Sequence, residues 1–282
     1  MPMRGGQRVS DEQSNVKLEV KDSVAVVRLD RPEKLNAFTY RMIAEIRAAV
    51  ERAGADESAV GIVVTGTGHG FSAGLDTTDL ARSASGNEPT SDTGASPPAD
   101  ELPALFSYLL RIPKPVIAAV NGVAAGGGFV LAMMCDLRFA AESASFTTAF
   151  SKRGLIAEHG TSWILPRLVG PSRALDLLWS SRRFDAAEAM RLGFVDRIVP
   201  GDRVVDEACA YIRELAVNVS PRSIAVIKSQ VYRHLSLGME TAIRDADASM
   251  REALLHPDAT EGVASFVERR PPRFQRLTGG KI

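Results

Sequence analysis

The sequence predicts an α/β fold, and three observations point to it. Strand-like and helix-like patterns alternate from Gly61 to Pro200. Two of the strand-like runs end in glycine-bearing turns that open into helix-like runs. Val116 to Val120 leads through Asn121 and Gly126-Gly127-Gly128 into Phe129 to Met134, and Gly61 to Thr65 leads through Gly66, Gly68, Gly70 and Gly74 into a short helical pattern reaching Leu80. After Gly201 the chain turns helical.

The elements follow in order. Val16 to Val20 and Ser23 to Leu29 alternate or run apolar and read as a hairpin. Tyr40 to Arg52 carries Met42, Ile43, Ile46, Ala49 and Val50 at helical spacing. Residues 83–100 are rich in Ser, Gly, Pro, Asp and Thr with almost nothing to bury, and read as a flexible loop. Helices are expected over Val204 to Val217, Ser223 to Leu235, Met239 to Leu255 and Ala259 to Arg269, the last opened by a capping box of Asp258 with Glu261. The organisation is thus a flexible N-terminus over 1–15, an α/β core over 16–200, and a helical region over 201–282.

Composition narrows the function classes. The 282 residues hold 34 basic and 34 acidic side chains, so bulk charge argues for neither nucleic acid nor an acidic membrane. Cys135 and Cys209 lie far apart without metal-ligand neighbours and read as reduced core residues of a cytoplasmic protein. The polar segment before Asn15 lacks the apolar core of a signal peptide. Val116 to Cys135 approaches the length of a membrane span, but Asn121 and four glycines suit a buried strand–turn–helix instead. His69, His234 and His256 have no clustered acid or cysteine, so no metal site is expected. The Gly66/Gly68/Gly70 spacing is not that of a dinucleotide turn. Gly160-Thr-Ser162-Trp is no serine-hydrolase elbow.

The glycine turns carry the chemical signal. Glycine lets backbone approach a ligand closely, and a helix starting there aims free N–H groups and its positive dipole end forward. No phosphate-loop Lys or Ser/Thr follows, so the expected guest is a small developing anion such as a thioester oxygen. Two such turns facing each other would converge two N–H donors on one oxygen. The competing reading is that the glycines serve only close helix–sheet packing.

The set of motifs resembles the crotonase, or enoyl-CoA hydratase/isomerase, superfamily. It comprises Leu29-Asp-Arg-Pro-Glu-Lys-Leu-Asn36-Ala, Phe71-Ser-Ala-Gly-Leu-Asp76, Pro113 through Gly128, Leu131-Ala-Met-Met-Cys-Asp136, Gly193-Phe-Val-Asp196, Asp258-Ala-Thr-Glu-Gly262 and Phe266-Val-Glu-Arg-Arg270. They occur in family order and cover nearly the whole chain beyond the N-terminus. The resemblance implies a spiral of ββα units with C-terminal helices at a trimer interface, as a homotrimer or a dimer of trimers. It implies a coenzyme A thioester as substrate and no permanently bound cofactor. It makes the backbone N–H groups of Leu75 and Gly127 the oxyanion donors. It places Lys34, Leu35, Ser72, Ala73, Asp76, Phe266 and Arg269 at the coenzyme A site, Arg269 in its own or a neighbouring subunit. Against this, Asp76 also suits a helix cap, and Lys34 and Arg269 also suit solvated surface.

The carboxylates depart from the hydratase pattern. By resemblance, hydratases carry two glutamates at the positions of Val130 and Phe150, neither of which moves a proton here. Glu158 remains, in the turn Gly154-Leu-Ile-Ala-Glu158-His-Gly160, where apolar surroundings would desolvate an acid and make it a better base. That segment is similar to the family's monoenoyl-CoA isomerases. The alternatives for Glu158 are capping the next helix or pairing with Arg153 or Arg167. His159 orients Glu158, touches substrate or simply packs. The expected reaction moves a double bond from the 3,4 to the 2,3 position of an enoyl-CoA, with Glu158 as the proton carrier. The alternatives are hydration of a 2-enoyl-CoA by Glu158 alone and a non-catalytic scaffold that binds acyl-CoA or a partner.

Overall fold

The expected hairpin forms from β1 (Val16–Lys21) and β2 (Val24–Leu29), paired antiparallel from Val16 opposite Leu29 to Lys21 opposite Val24. The molecule, a computed structural model, is described for residues 14–84 and 104–278. Residues 1–13 of the expected flexible N-terminus and 85–100 of the expected loop lie outside the described residues. After the hairpin come α1 (Tyr40–Ala55), β3 (Gly61–Gly66), β4 (Gly70–Ser72), α2 (Thr77–Ala84), β5 (Val116–Val120), β6 (Val123–Ala125), α3 (Gly127–Met134), β7 (Leu137–Ala141) and β8 (Ser145–Thr147). Next are α4 (Thr161–Val169), α5 (Pro171–Ser180), β9 (Phe184–Asp185), α6 (Ala186–Leu192) and β10 (Arg197–Val199). The chain ends in α7 (Val204–Asn218), α8 (Pro221–His234), α9 (Met239–Leu255) and α10 (Pro257–Glu268).

Among the described residues the strands form two sheets, in the order β1-β2-β3-β5-β7-β10 and β4-β6-β8-β9. The β2, β3, β5, β7 and β10 neighbours are parallel, as are β4, β6 and β8. The pairs β3/β4, β5/β6 and β7/β8 each give one strand to each sheet before a helix follows. This is the ββα spiral. Its repeat is invisible in the sequence because β4, β6 and β8 have three residues apiece, too few for periodicity.

Every residue of β3 and β5 is buried, as parallel strands covered on both faces require. One face packs on α1, α3 and the second sheet; the other packs on α7 through Val63, Ile117, Phe139 and Ile212. Phe129 near the start of α3 stacks on Phe194 at 4.6 Å between centroids, with Phe146 and Phe184 edge-on around them. These rings fix the start of α3 against the second sheet.

The capping box at Asp258 is not formed. Pro257 takes the first helical position, so His256 is the cap and its Nδ1 accepts from the Asp258 N–H. Asp258 instead hydrogen-bonds Ser220 Oγ at 2.5 Å and the Gln275 N–H, and Glu261 pairs with Arg270.

The C-terminal helices attach at the N-terminal ends of the parallel strands. Asp136 accepts from the Val116 N–H at 2.7 Å, Lys228 Nζ at 2.7 Å and the Tyr232 hydroxyl at 2.9 Å. Lys228 also donates to the carbonyls of Leu109 and Lys114. Burial, with Asp136 alongside, pushes the Tyr232 phenol up from its ordinary range. Removing one partner of a buried ion pair strands the other. Asp136→Ala is therefore expected to cost about 3–5 kcal/mol in urea unfolding, whereas Lys17→Ala, at an exposed pair with Asp30, costs under about 1 kcal/mol.

Candidate active site

Because β3 and β5 run parallel, the turns that follow them emerge side by side. Two asparagines build this end. Asn36, fully buried and left-handed at φ 55°, accepts from the Arg31 N–H at 2.8 Å and donates to the Thr67 and Gly70 carbonyls. Asn121 accepts from the Gly66 N–H and donates to the Gly68 carbonyl at 2.9 Å. The Ser72 hydroxyl donates to Asn36 O and accepts from the Gly74 N–H.

This framework presents Leu75. Phe38 and Leu75 form a parallel bridge in which the Phe38 N–H meets Gly74 O at 2.7 Å and the Asp76 N–H meets Phe38 O at 2.8 Å. The intervening Leu75 N–H then points to the other side, as a parallel ladder dictates. Gly127 is the first residue of α3, so its N–H has no intrahelical acceptor. Neither N–H donates to an acceptor among the described residues.

The two turns touch. A Cβ placed on Gly74 would lie 2.6 Å from Ala125 O and 3.0 Å from Gly127 N, and one on Gly128 would lie 2.2 Å from Ser72 O. Gly74 also needs its φ of 89°. Close packing of the glycines is seen, and it sets Gly127 against Gly74, next to Leu75, so the two unpartnered N–H groups belong to adjoining turns. Such a pair can stabilise an oxygen that gains negative charge.

Glu158 occupies the turn before α4, between the left-handed residues Gly154 and His159, with Gly160 at φ 77° capping the helix. Its side chain does not cap α4. Arg153 donates to Ala149 O, and Arg167 lies 3.8 Å over the Trp163 ring, so both expected charge partners are engaged elsewhere. Glu158 is not desolvated in the single chain, contrary to expectation. It is 43 % exposed, beside Ile156 at 81 %. The positive-φ Gly154 lifts the turn off the core, a feature that apolar composition does not reveal. Val130 and Phe150 are buried among apolar residues. Among the described residues no His/Cys/Asp/Glu group is arranged to hold a metal.

The enoyl-CoA hydratase/isomerase family profile matches residues 19–277. The chain belongs to the enoyl-CoA hydratase/isomerase family. It is 35 % identical over 255 residues to the 1,2-epoxyphenylacetyl-CoA isomerase of Escherichia coli, covering 90 % of this chain and 96 % of that one. It is 33 % identical over 251 residues to the "probable enoyl-CoA hydratase echA8" of Mycobacterium bovis, covering 89 % and 94 %. Solved structures agree. An enoyl-CoA hydratase subunit I from Geobacillus kaustophilus superposes with a TM-score of 0.82 at 33 % identity, covering 96 % of this chain and all of that one. An enoyl-CoA hydratase from Mycobacterium tuberculosis superposes with a TM-score of 0.82 at 27 % identity, covering 93 % and 99 %. The protein is thus an acyl-CoA enzyme with the crotonase fold, and both isomerases and hydratases are among its relatives. No helix among the described residues is long and apolar enough to cross a membrane.

Within this hydratase/isomerase scaffold the residues expected at coenzyme A divide. Lys34 and Leu35 are exposed on a short turn, and Ala73 donates its N–H to Leu35 O. The Ser72 side chain is fully buried and used internally. Asp76 caps α2, as the alternative reading held, with Oδ1 accepting from the Thr78 N–H. Its other oxygen meets Arg31 at 3.2 Å, and these contacts hold the carboxyl below the usual range. Arg31 also donates to Ala37 O at 2.8 Å, bracing both sides of the Phe38–Leu75 bridge. Its place in the Leu29–Ala37 motif gives no signal of this bracing role. Phe266 is 85 % exposed, and Arg269 ends α10 at φ 54°. Gly74→Ala should force the two turns apart. A strained, overpacked alanine there should cost about 1–3 kcal/mol, read as a Tm drop of several degrees in thermal denaturation.

Proposed function

We propose that the protein isomerises a 3-enoyl-CoA to a 2-enoyl-CoA. The observations that support this reading are an accessible carboxylate at Glu158 and buried apolar residues at Val130 and Phe150. Glu158 takes a proton from C2 of the substrate. The C–H electron pair moves into the thioester, and the oxygen becomes an enolate held by the Leu75 and Gly127 N–H groups. The protonated Glu158 returns its proton at C4, and the double bond ends between C2 and C3. No water is consumed and Glu158 is regenerated, so one carboxylate suffices. The same exposure of Glu158 supports a second reading, in which it activates water for addition to a 2-enoyl-CoA, as the names of several relatives suggest.

We also propose that the enzyme works as a homotrimer or a dimer of trimers. The supports are Ile227, Val231, Met239, Ile243, Leu254, Leu255, Val263 and Phe266, all exposed along α8 to α10. Those helices are stapled to the opposite end of α3 from Gly127. Phe266 and Arg269 would thus reach coenzyme A in a neighbouring subunit. The buried thiols, Cys135 pushed up to about 12 by burial, fit the cytoplasmic placement. Light scattering is expected to give a mass of three or six chains, and a monomer would count against the assembly.

Turnover decides the chemistry. Glu158→Gln is expected to lower isomerisation of 3-enoyl-CoA about a hundredfold to ten-thousandfold and to abolish C2 deuterium exchange. A wild type that instead hydrates 2-enoyl-CoA and leaves 3-enoyl-CoA unchanged would establish the second reading. Gly127→Pro keeps a residue allowed at the first helical position but deletes the donor, and turnover should fall at least about a hundredfold.

A further inference from the structure

We infer that His159 is a positioning residue that sets Glu158 against the Leu105 backbone and so in register with the oxyanion helix; the inference rests on the isomerase reading. The His159 Nδ1 accepts from the Leu105 backbone N–H at 3.4 Å. A neutral imidazole that accepts at Nδ1 must carry its proton at Nε2. That Nε2 stands 3.6 Å from Glu158 Oε1, so the ring lies beside the carboxylate.

The other ring nitrogen gives the acid a reference point. Leu105 is followed by Phe106, buried and left-handed at φ 65°, whose ring meets Phe38 edge-on at 5.5 Å between centroids. Phe38 holds the Leu75 bridge and lies 3.3 Å from where a Cβ on Gly127 would be. An unbroken series of contacts thus runs from Glu158 through His159, Leu105, Phe106 and Phe38 to both proposed oxyanion donors. The turn also rests on α3 directly, since the Met134 methyl lies 3.3 Å from a Cβ placed on Gly160. His159 itself adopts φ 53°, a conformation that costs a non-glycine residue free energy and that here places its ring between Leu105 and Glu158.

Histidine-labelled full-length protein and a set of variants test this. Nitrogen NMR is expected to show His159 with a bare Nδ1 and a protonated Nε2, and the Nε2–H signal is expected to move in Glu158→Gln. With 3-enoyl-CoA, His159→Ala should lower kcat about tenfold to a hundredfold while KM stays within about twofold, the signature of a displaced catalytic group. His159→Gln, whose amide nitrogen can occupy the Nε2 position, should recover most of that loss. His159→Asn, whose amide sits at the Nδ1 position and tolerates positive φ better, should not. A protonated Nδ1, an unchanged kcat in His159→Ala, or equal rescue by Asn and Gln would overturn the inference. Full turnover in Glu158→Gln would overturn the isomerase reading instead, and the NMR arm would still decide whether His159 contacts Glu158.

Discussion

The close approach of two backbone turns, Gly74 against Ala125–Gly127, is the constraint on which the site depends. It requires parallel strands, because only then do the ends of β3 and β5 deliver their turns to the same edge. It requires glycine, because any side chain at Gly74 or Gly128 would fill the contact. It also requires internal support, because loops that expose free N–H groups cannot satisfy themselves with regular ladders. Asn36 and Asn121 supply that support, each with hydrogen bonds to three backbone groups. Each such bond contributes about 0.5–1.5 kcal/mol, and orphaning a buried partner costs about 1–3 kcal/mol. The two N–H groups without acceptors among the described residues are thus flanked by turns that these asparagines brace.

What was legible in the sequence follows from element length. The hairpin, α1 and the four C-terminal helices carry enough residues to display their periods, and the structure places them within a few residues of expectation. The second sheet was hidden because its strands are three residues or fewer. The turns at Leu75 and Gly127 were legible because glycine reports backbone geometry directly. The exposure of Glu158 was not, because composition counts Leu155 and Ile156 as core-forming, whereas a positive-φ glycine turns them outward. The Asp258 cap failed for a similarly local reason, since Pro257 claims the first helical position and shifts the start of the helix.

The two ends of α3 divide the work of the molecule. At its start, the apolar ring stack of Phe129 and Phe194 keeps the helix seated while its first N–H remains free. Just beyond its end, Asp136 gathers a strand N–H, an ammonium and a phenol, and fastens α8. The first end is built from backbone with little side-chain bulk. The second is built from charged and polar side chains with their partners satisfied. A helix of eight residues, about 12 Å, separates these two ends.

The choice of reaction within this scaffold is best understood as a subtraction. Holding and activating a water molecule takes two to four polar partners around it. The side chains of the buried Val130 and Phe150 supply none. In the proposed isomerisation the proton returns from the acid that took it, so no water need be activated. Glu158 suits that duty because it stands on a turn with its two expected arginine partners occupied elsewhere. A carboxylate locked to a guanidinium would be a weaker base. One free of a permanent ion pair stays available for a proton in both directions, which the proposed double-bond migration requires.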